Sequence, residues 1–191
     1  MSVAVVDLGL GNLGSVMQAL VRAGGEPRLS ADPGEIARAD RVVLPGVAAF
    51  GLGMERAARF KPALQEALAR GAPVLGICLG MQLLFEEGEE DGLREGLGLL
   101  PGRVRRLPKS VQTPHIGWQK LEPLGDSPLH PSGWAYFAHS YHCETEATAV
   151  VEHGGVRIAA AVGKGNLFGV QYHPEKSARD GEALLRNFLQ L

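Results

Sequence analysis

Three short runs that are apolar at nearly every position constrain this chain most. They are SVAVVDL at 2–8, RVVLPG at 41–46 and APVLGI at 72–77. A strand with no polar face has none to turn to water, so it needs cover on both sides. The intervening segments supply that cover. LGSVMQALVRA at 13–23 carries apolar residues at helical spacing and stops at Gly24-Gly25. KPALQEALARG at 61–71 has Pro62 near its start and Gly71 just past its end, and LGMQLLFEEG reads as a helix after the third run.

This alternation predicts an α/β fold: an open mixed, mostly parallel sheet with helices on both faces. The second half differs. RVRRL, GWQKLEPL, WAYFAHSYHCE, ATAVVEH, VRIAAAVG and NLFGVQYH are β-type runs broken by Gly, Pro or Ser. They predict antiparallel additions to the sheet or a small flanking sheet, and a last helix at 180–191 closes the chain. With no repeat, low-complexity tract or boundary in view, residues 1–191 read as one domain.

Charge excludes some classes of function. Nineteen basic and 21 acidic residues leave a net charge of −2, without a one-sign field for nucleic acid or a membrane surface. The densest charge runs, FEEGEED at 85–91 and RVRRLPK at 103–109, read as solvated loops or strand ends. No run of about 18 apolar residues is present to span a bilayer. The opening MSVAVVDLG lacks the basic and cleavage features of a signal peptide. Two cysteines are too few for a disulfide framework, so a reducing cytoplasm is the simplest compartment. Cys78 and Cys143 are then packing residues or chemical ones.

Cys78 stands at the end of the third apolar run, in Gly76-Ile77-Cys78-Leu79-Gly80, where a strand gives way to a helix. That is a nucleophile elbow with cysteine in the serine position. The turn holds the thiol clear of both elements, and glycines two residues away on each side avoid a clash. A helix N-terminus favours thiolate. The Leu79 N–H, which the helix start leaves unpaired, is available to an oxyanion. The competing reading is a buried structural cysteine between packing glycines. Cys143 has no elbow and reads as packing.

A nucleophilic thiol needs a base. His130 and His153 lie in polar, turn-like surroundings; His115, His139 and His142 lie in or beside β runs and read as structural or substrate-contacting. His173 ends an apolar strand and precedes Pro174 and Glu175. Pro174 keeps His173 extended, and in an extended chain residues i and i+2 share a side, so Glu175 reaches the same ring. A carboxylate behind a histidine that faces a thiol is the logic of a catalytic triad. A rival class comes from the opening stretch, where Gly9-x-Gly11-x-x-Gly14 matches the dinucleotide fingerprint. It needs an acid about 20 positions on; Asp32 has roughly that spacing, but SADPG places it in a turn.

Gly76, Cys78, Gly80 and Gln82, with His173, Pro174 and Glu175, resemble the triad class of glutamine amidotransferases, whose fold is flavodoxin-like. DLGLGNLGS, LPGVAAFG, GICLGMQLLF, PHIGW, FAHSYH and GVQYHPEKS, in that order, are similar to the glutaminase subunits of imidazole glycerol phosphate synthase. The departures are Leu8, Ala48, Gln119 and Tyr172; Ala48 sits in the oxyanion loop, where it keeps its N–H.

The resemblance implies L-glutamine as substrate. Cys78 is the nucleophile, His173 the acid and base, and Glu175 its orienting partner. Leu79 with the Gly46–Val47 loop forms the oxyanion hole, and Gln82, Ser140 and Tyr141 contact the glutamine. It implies no metal or organic cofactor. It also implies a separate (β/α)₈ cyclase that receives the ammonia, met through Asn12, Ser15 and Lys176. The glutaminase of another amidotransferase and a cysteine peptidase of similar fold are the alternatives that keep the triad.

Overall fold

The computed structural model describes residues 2–191. Its centre is an eight-stranded sheet in the order β2-β1-β3-β4-β14-β13-β12-β9. The first five in that order are β2 (Pro27–Ser30), β1 (Val3–Val6), β3 (Arg41–Leu44), β4 (Val74–Ile77) and β14 (Leu167–Val170), and they run parallel. The remaining three are β13 (Val156–Lys164), β12 (Ala149–His153) and β9 (Glu122–Pro123), added antiparallel. The expected mixed sheet is therefore present, with its antiparallel part on one side.

Strand alternation sorts the apolar residues into two layers. Val3 and Val5 join one core with Val43, Leu75, Ile77, Leu184 and Phe188, whereas Ala4 and Val6 join the other with Val42, Leu44, Val74, Phe60 and Leu64. One face is covered by α1 (Leu13–Arg22) and α6 (Ala178–Gln190), which pack together. The other is covered by α2 (Pro33–Arg38), α3 (Phe50–Ala57) and α4 (Lys61–Ala69). This is why β1, β3, β4 and β14 are buried at all four positions.

Two smaller sheets lie beside the main one. β5 (Glu87–Gly88), β6 (Arg94–Glu95), β7 (Arg103–Arg106) and β11 (Tyr141–Glu144) form a four-stranded sheet, and β8 (His115–Lys120) pairs antiparallel with β10 (Trp134–His139) as a ribbon. Both options foreseen for the second half, added strands and flanking sheets, are realised. The helix after β4 is shorter than its sequence suggests: α5 covers Leu79–Leu83. Gly96 would place a side chain onto the Phe85 carbonyl, and Leu97 and Gly98 donate to Leu83 and Phe85 carbonyls. The FEEGEED run is thus drawn into the small sheet. Glu86 and Glu89 accept N–H bonds from Gly102 and Arg106, and Glu90 accepts one from Phe50 at 2.6 Å.

Candidate active site

The loops that follow β1, β3, β4 and β14 meet at the carboxyl edge of the parallel strands, where open α/β sheets gather their sites. Cys78 caps α5 with φ 54° and ψ −110°, a conformation that costs a non-glycine residue of order 1–3 kcal/mol. Its N–H donates to the Val170 carbonyl at 2.8 Å, which ties the elbow to β14. The flanking glycines are required as the sequence suggests. A Cβ on Gly76 would lie 2.7 Å from the Gly80 carbonyl oxygen, and one on Gly80 would meet the Leu44 carbonyl oxygen. The thiol is 6% exposed.

His173 leaves β14 in an extended conformation, as Pro174 requires, and its side chain is 3% exposed. Glu175 reaches it differently from the expected i, i+2 alignment. Pro174–Lys176 form one turn of 3₁₀ helix, and that turn brings Glu175 Oε1 to 2.8 Å from His173 Nδ1. Ser177 secures the turn: its hydroxyl donates to the His173 carbonyl at 2.6 Å and accepts the Tyr136 N–H at 2.9 Å. Burial by itself would lower the His173 pKa, but the hydrogen bond to the Cys78 side chain, then that to Glu175, and the charges of both raise it to about 9. The structure thus brings Cys78, His173 and Glu175 together, with the ring hydrogen-bonded to Glu175 and beside the sulfur of Cys78.

A cavity of about 340 Å³ opens beside the thiol. Cys78, Leu79, Gln82, Ser140 and Tyr141 line it, together with Val47 and Ala48 of the loop after β3. Gly46 lines instead a second, smaller cavity of about 60 Å³ on the histidine side, with His173, Glu175, Asn12 and Lys176; Val47 borders both. The Cys–His pair therefore stands between two spaces. Asn12 caps α1, its side-chain oxygen accepting the Ser15 N–H at 3.2 Å, and Lys176 is exposed with its ammonium 5.8 Å from the centre of the Tyr136 ring. The glycine-rich opening turn serves this region: Gly11, at φ 94°, packs so close to Val47 that a Cβ would lie 3.3 Å from the Val47 nitrogen. Asp32, the acid a dinucleotide site would use, spends its Oδ1 on the Gly34 N–H at 2.8 Å as the cap of α2.

Three features were not anticipated. Glu90 lines the larger cavity, although its run reads as solvated. Gln171 is fully buried between Cys78 and Gln82. His153 is not a free surface residue: it stacks on His115 with ring centres 4.1 Å apart. In the cavity wall, His139 Nδ1 lies 2.8 Å from the Tyr141 carbonyl and must donate to it. Its Nε2 is then the acceptor for His115 Nδ1–H at 2.9 Å. That pattern needs the His139 ring neutral, since its Nε2 accepts, and burial, helped by neighbouring histidines, lowers the pKa values to about 3 for His139 and about 4 for His115. Among the described residues no His, Cys, Asp and Glu cluster is arranged to hold a metal ion.

Residues 4–191 match the family described as glutamine amidotransferase class-I. The chain is 50% identical to the imidazole glycerol phosphate synthase subunit HisH of Symbiobacterium thermophilum, over 97% of this chain and 92% of that one. It is 44% identical to HisH of Pyrococcus furiosus, over 99% and 98%. The chain belongs to the HisH family of class-I glutamine amidotransferases. It is accordingly an enzyme of the glutamine amidotransferase type. The fold is shared more widely: the Thermotoga maritima PurLQS structure superposes with a TM-score of 0.78 at 22% identity, covering 99% of this chain and 97% of that one. A further crystal structure of a glutamine amidotransferase gives 0.75 at 21%, covering 98% and 97%. No helix among the described residues is long and apolar enough to cross a membrane.

Proposed function

We propose that this HisH-family chain hydrolyses L-glutamine at Cys78 and delivers the ammonia to a separate (β/α)₈ cyclase subunit that makes imidazole glycerol phosphate. The observation that carries the reading is the chain of contacts from Cys78 through His173 to Glu175, beside a cavity of amino-acid size. An imidazolium next to the sulfur is the electrostatic partner of a thiolate nucleophile. The thiolate adds to the side-chain amide carbon, and the carbonyl oxygen takes the charge. Leu79 N–H, at the head of α5, and the Val47 N–H are its donors; loss of one such donor typically costs roughly 10²–10³ in rate. Gly46 shapes this loop from the histidine side.

His173 then gives its proton to the leaving nitrogen, and the C–N bond breaks to leave a γ-glutamyl thioester. Water, deprotonated by His173, adds to the thioester; collapse releases glutamate and the Cys78 sulfur. Glu175 holds the ring and balances its charge. Gln82, Ser140 and Tyr141 border the substrate, and Glu90 is the carboxylate along the cavity suited to the α-ammonium group.

Ammonia is of use only if it reaches the acceptor before it is protonated in water. The smaller cavity on the far side of His173 runs toward Asn12 and Lys176, which supports placing the partner there. The β8–β10 ribbon extends that surface. Its outer face shows Ile116, Trp118 and Trp134, exposed by 61%, 47% and 53%. Aromatic side chains left in water at this density mark a face that another protein covers.

Cys78→Ala is expected to abolish glutamine-dependent product formation by the two-subunit complex while ammonia-dependent formation continues. Parallel assays with glutamine and with ammonium chloride measure this. Loss of both activities in an assembled complex would exclude the assignment.

A further inference from the structure

Gln171 occupies an unusual place. It follows β14, its N–H donates to the Ala160 carbonyl at 2.9 Å, and none of the residue is exposed. The sequence there, GVQYHPE, continues an apolar strand, and a buried amide costs free energy unless every polar atom is used. Extended-chain alternation sends Gln171 and His173 to one side, toward Cys78, and Tyr172 to the other, into the core.

The amide is oriented by its partners. Gln82 Nε2 donates to the Tyr141 carbonyl at 3.0 Å and to Gln171 Oε1 at 3.1 Å. Both acceptors lack hydrogens, so Gln82 must be the donor, and Gln171 must present its oxygen to Gln82. Its Nε2–H is thereby turned to Cys78 Sγ, 3.8 Å away. Gln82 in turn has committed both N–H bonds to protein and keeps its own oxygen for a ligand.

We propose that Gln171 is a positioning residue that ties the nucleophile to the substrate site, donating to Cys78 Sγ and accepting from Gln82. This rests on Cys78 being the nucleophile, as argued above. A thiolate is a stronger acceptor than a thiol, so the Gln171 donor favours the ionised sulfur and fixes its direction. The same amide holds Gln82 with an acceptor oxygen facing the cavity, which suits a substrate group that carries N–H bonds and disfavours a carboxylate in that place. One buried side chain so couples reactivity to specificity.

The test uses the full-length protein and two variants. Iodoacetamide alkylation of Cys78, followed by mass spectrometry across a pH series, reads the ionisation of the sulfur without any substrate. Gln171→Met removes both contacts; the alkylation midpoint is expected to rise by about one pH unit, with an about tenfold slower rate at neutral pH, the size of one lost hydrogen bond to a charged group. In the complex its KM for glutamine should rise as kcat falls. Gln171→Glu keeps an acceptor for Gln82 but loses the amide donor; its midpoint should rise while KM stays near the parent value. A folded variant, by circular dichroism and cooperative melting, that alkylates with the parent midpoint overturns the proposal. Should neither variant fold, the parent protein decides by NMR: the Gln171 side-chain amide proton must shift with the Cys78 titration, and an unchanged signal overturns the proposal. Absence of glutamine turnover in the parent complex would instead count against the function proposed above and leave these readouts intact.

Discussion

At the residue scale the site is a contest between burial and hydrogen bonding. His173 is almost wholly buried, which should keep it neutral, yet Cys78 and Glu175 hold a proton on it up to about pH 9. The sign is that of a base whose charged form is stabilised. Its contribution is complete below the ordinary histidine value of 6.5 and is lost as pH rises through about 9. Glutamine turnover that needs the imidazolium as proton donor should therefore fall on that basic limb. Glu175→Gln removes one of the two stabilising partners and leaves an amide that can donate to the wrong nitrogen tautomer. The expected result is a basic limb displaced toward lower pH and a fall in kcat of about 10²-fold or more. A pH series of kcat for both proteins measures it; a mutant limb that coincides with the parent would show that Glu175 does not act on His173.

The elements place these residues by backbone geometry, and this sets how much could be read beforehand. The strands at 3–6, 41–44 and 74–77 and the helices at 13–22, 61–69 and 178–190 are legible because period and punctuation agree. The elbow is legible because glycine spacing reports a steric need, and Cys78, His173 and Glu175 all come together. What stays hidden is set by contacts distant in sequence. The 3₁₀ turn that swings Glu175 onto His173 depends on Ser177 gripping β10. Glu90 looks like a solvated charge until α3 supplies the Phe50 N–H, and Gln171 looks like an interruption in a strand until Gln82 reaches it from α5. Gly11 belongs with these. Its role is to let the turn after β1 lie against Val47 of the loop after β3. Gly11→Ala would add strain at φ 94°, of order 1–3 kcal/mol, and push on the Val47 amide. Its expected signature is a lower kcat for glutamine with little change in KM, because an oxyanion donor acts on the transition state. Steady-state kinetics of the complex give the answer; a KM defect alone would place the damage in the substrate cavity.

For the whole molecule, the parallel strands deliver every reacting group to one edge, and the ribbon of β8 and β10 carries the surface around it. His173 links the two, since its N–H donates to the Tyr136 carbonyl of β10 at 2.9 Å. A partner seated on the ribbon would press on the same strand that holds the histidine, so docking and chemistry share a mechanical element. This makes the choice of interface probe important. Asn12→Ala would remove the cap of α1 as well as any contact, and a lost cap alone costs about 1 kcal/mol of stability. Trp118 offers a cleaner probe, because its ring lies on the outer face of the ribbon and is about half exposed. Trp118→Ala should leave the melting temperature within a few degrees of the parent while weakening association with the cyclase by about 30-fold, the effect of a central aromatic contact worth about 2 kcal/mol. Calorimetric titration of cyclase into each protein, with melting curves alongside, separates the two effects. An unchanged Kd would move the interface off the ribbon and leave only the Asn12 and Lys176 side of the histidine cavity to receive the partner.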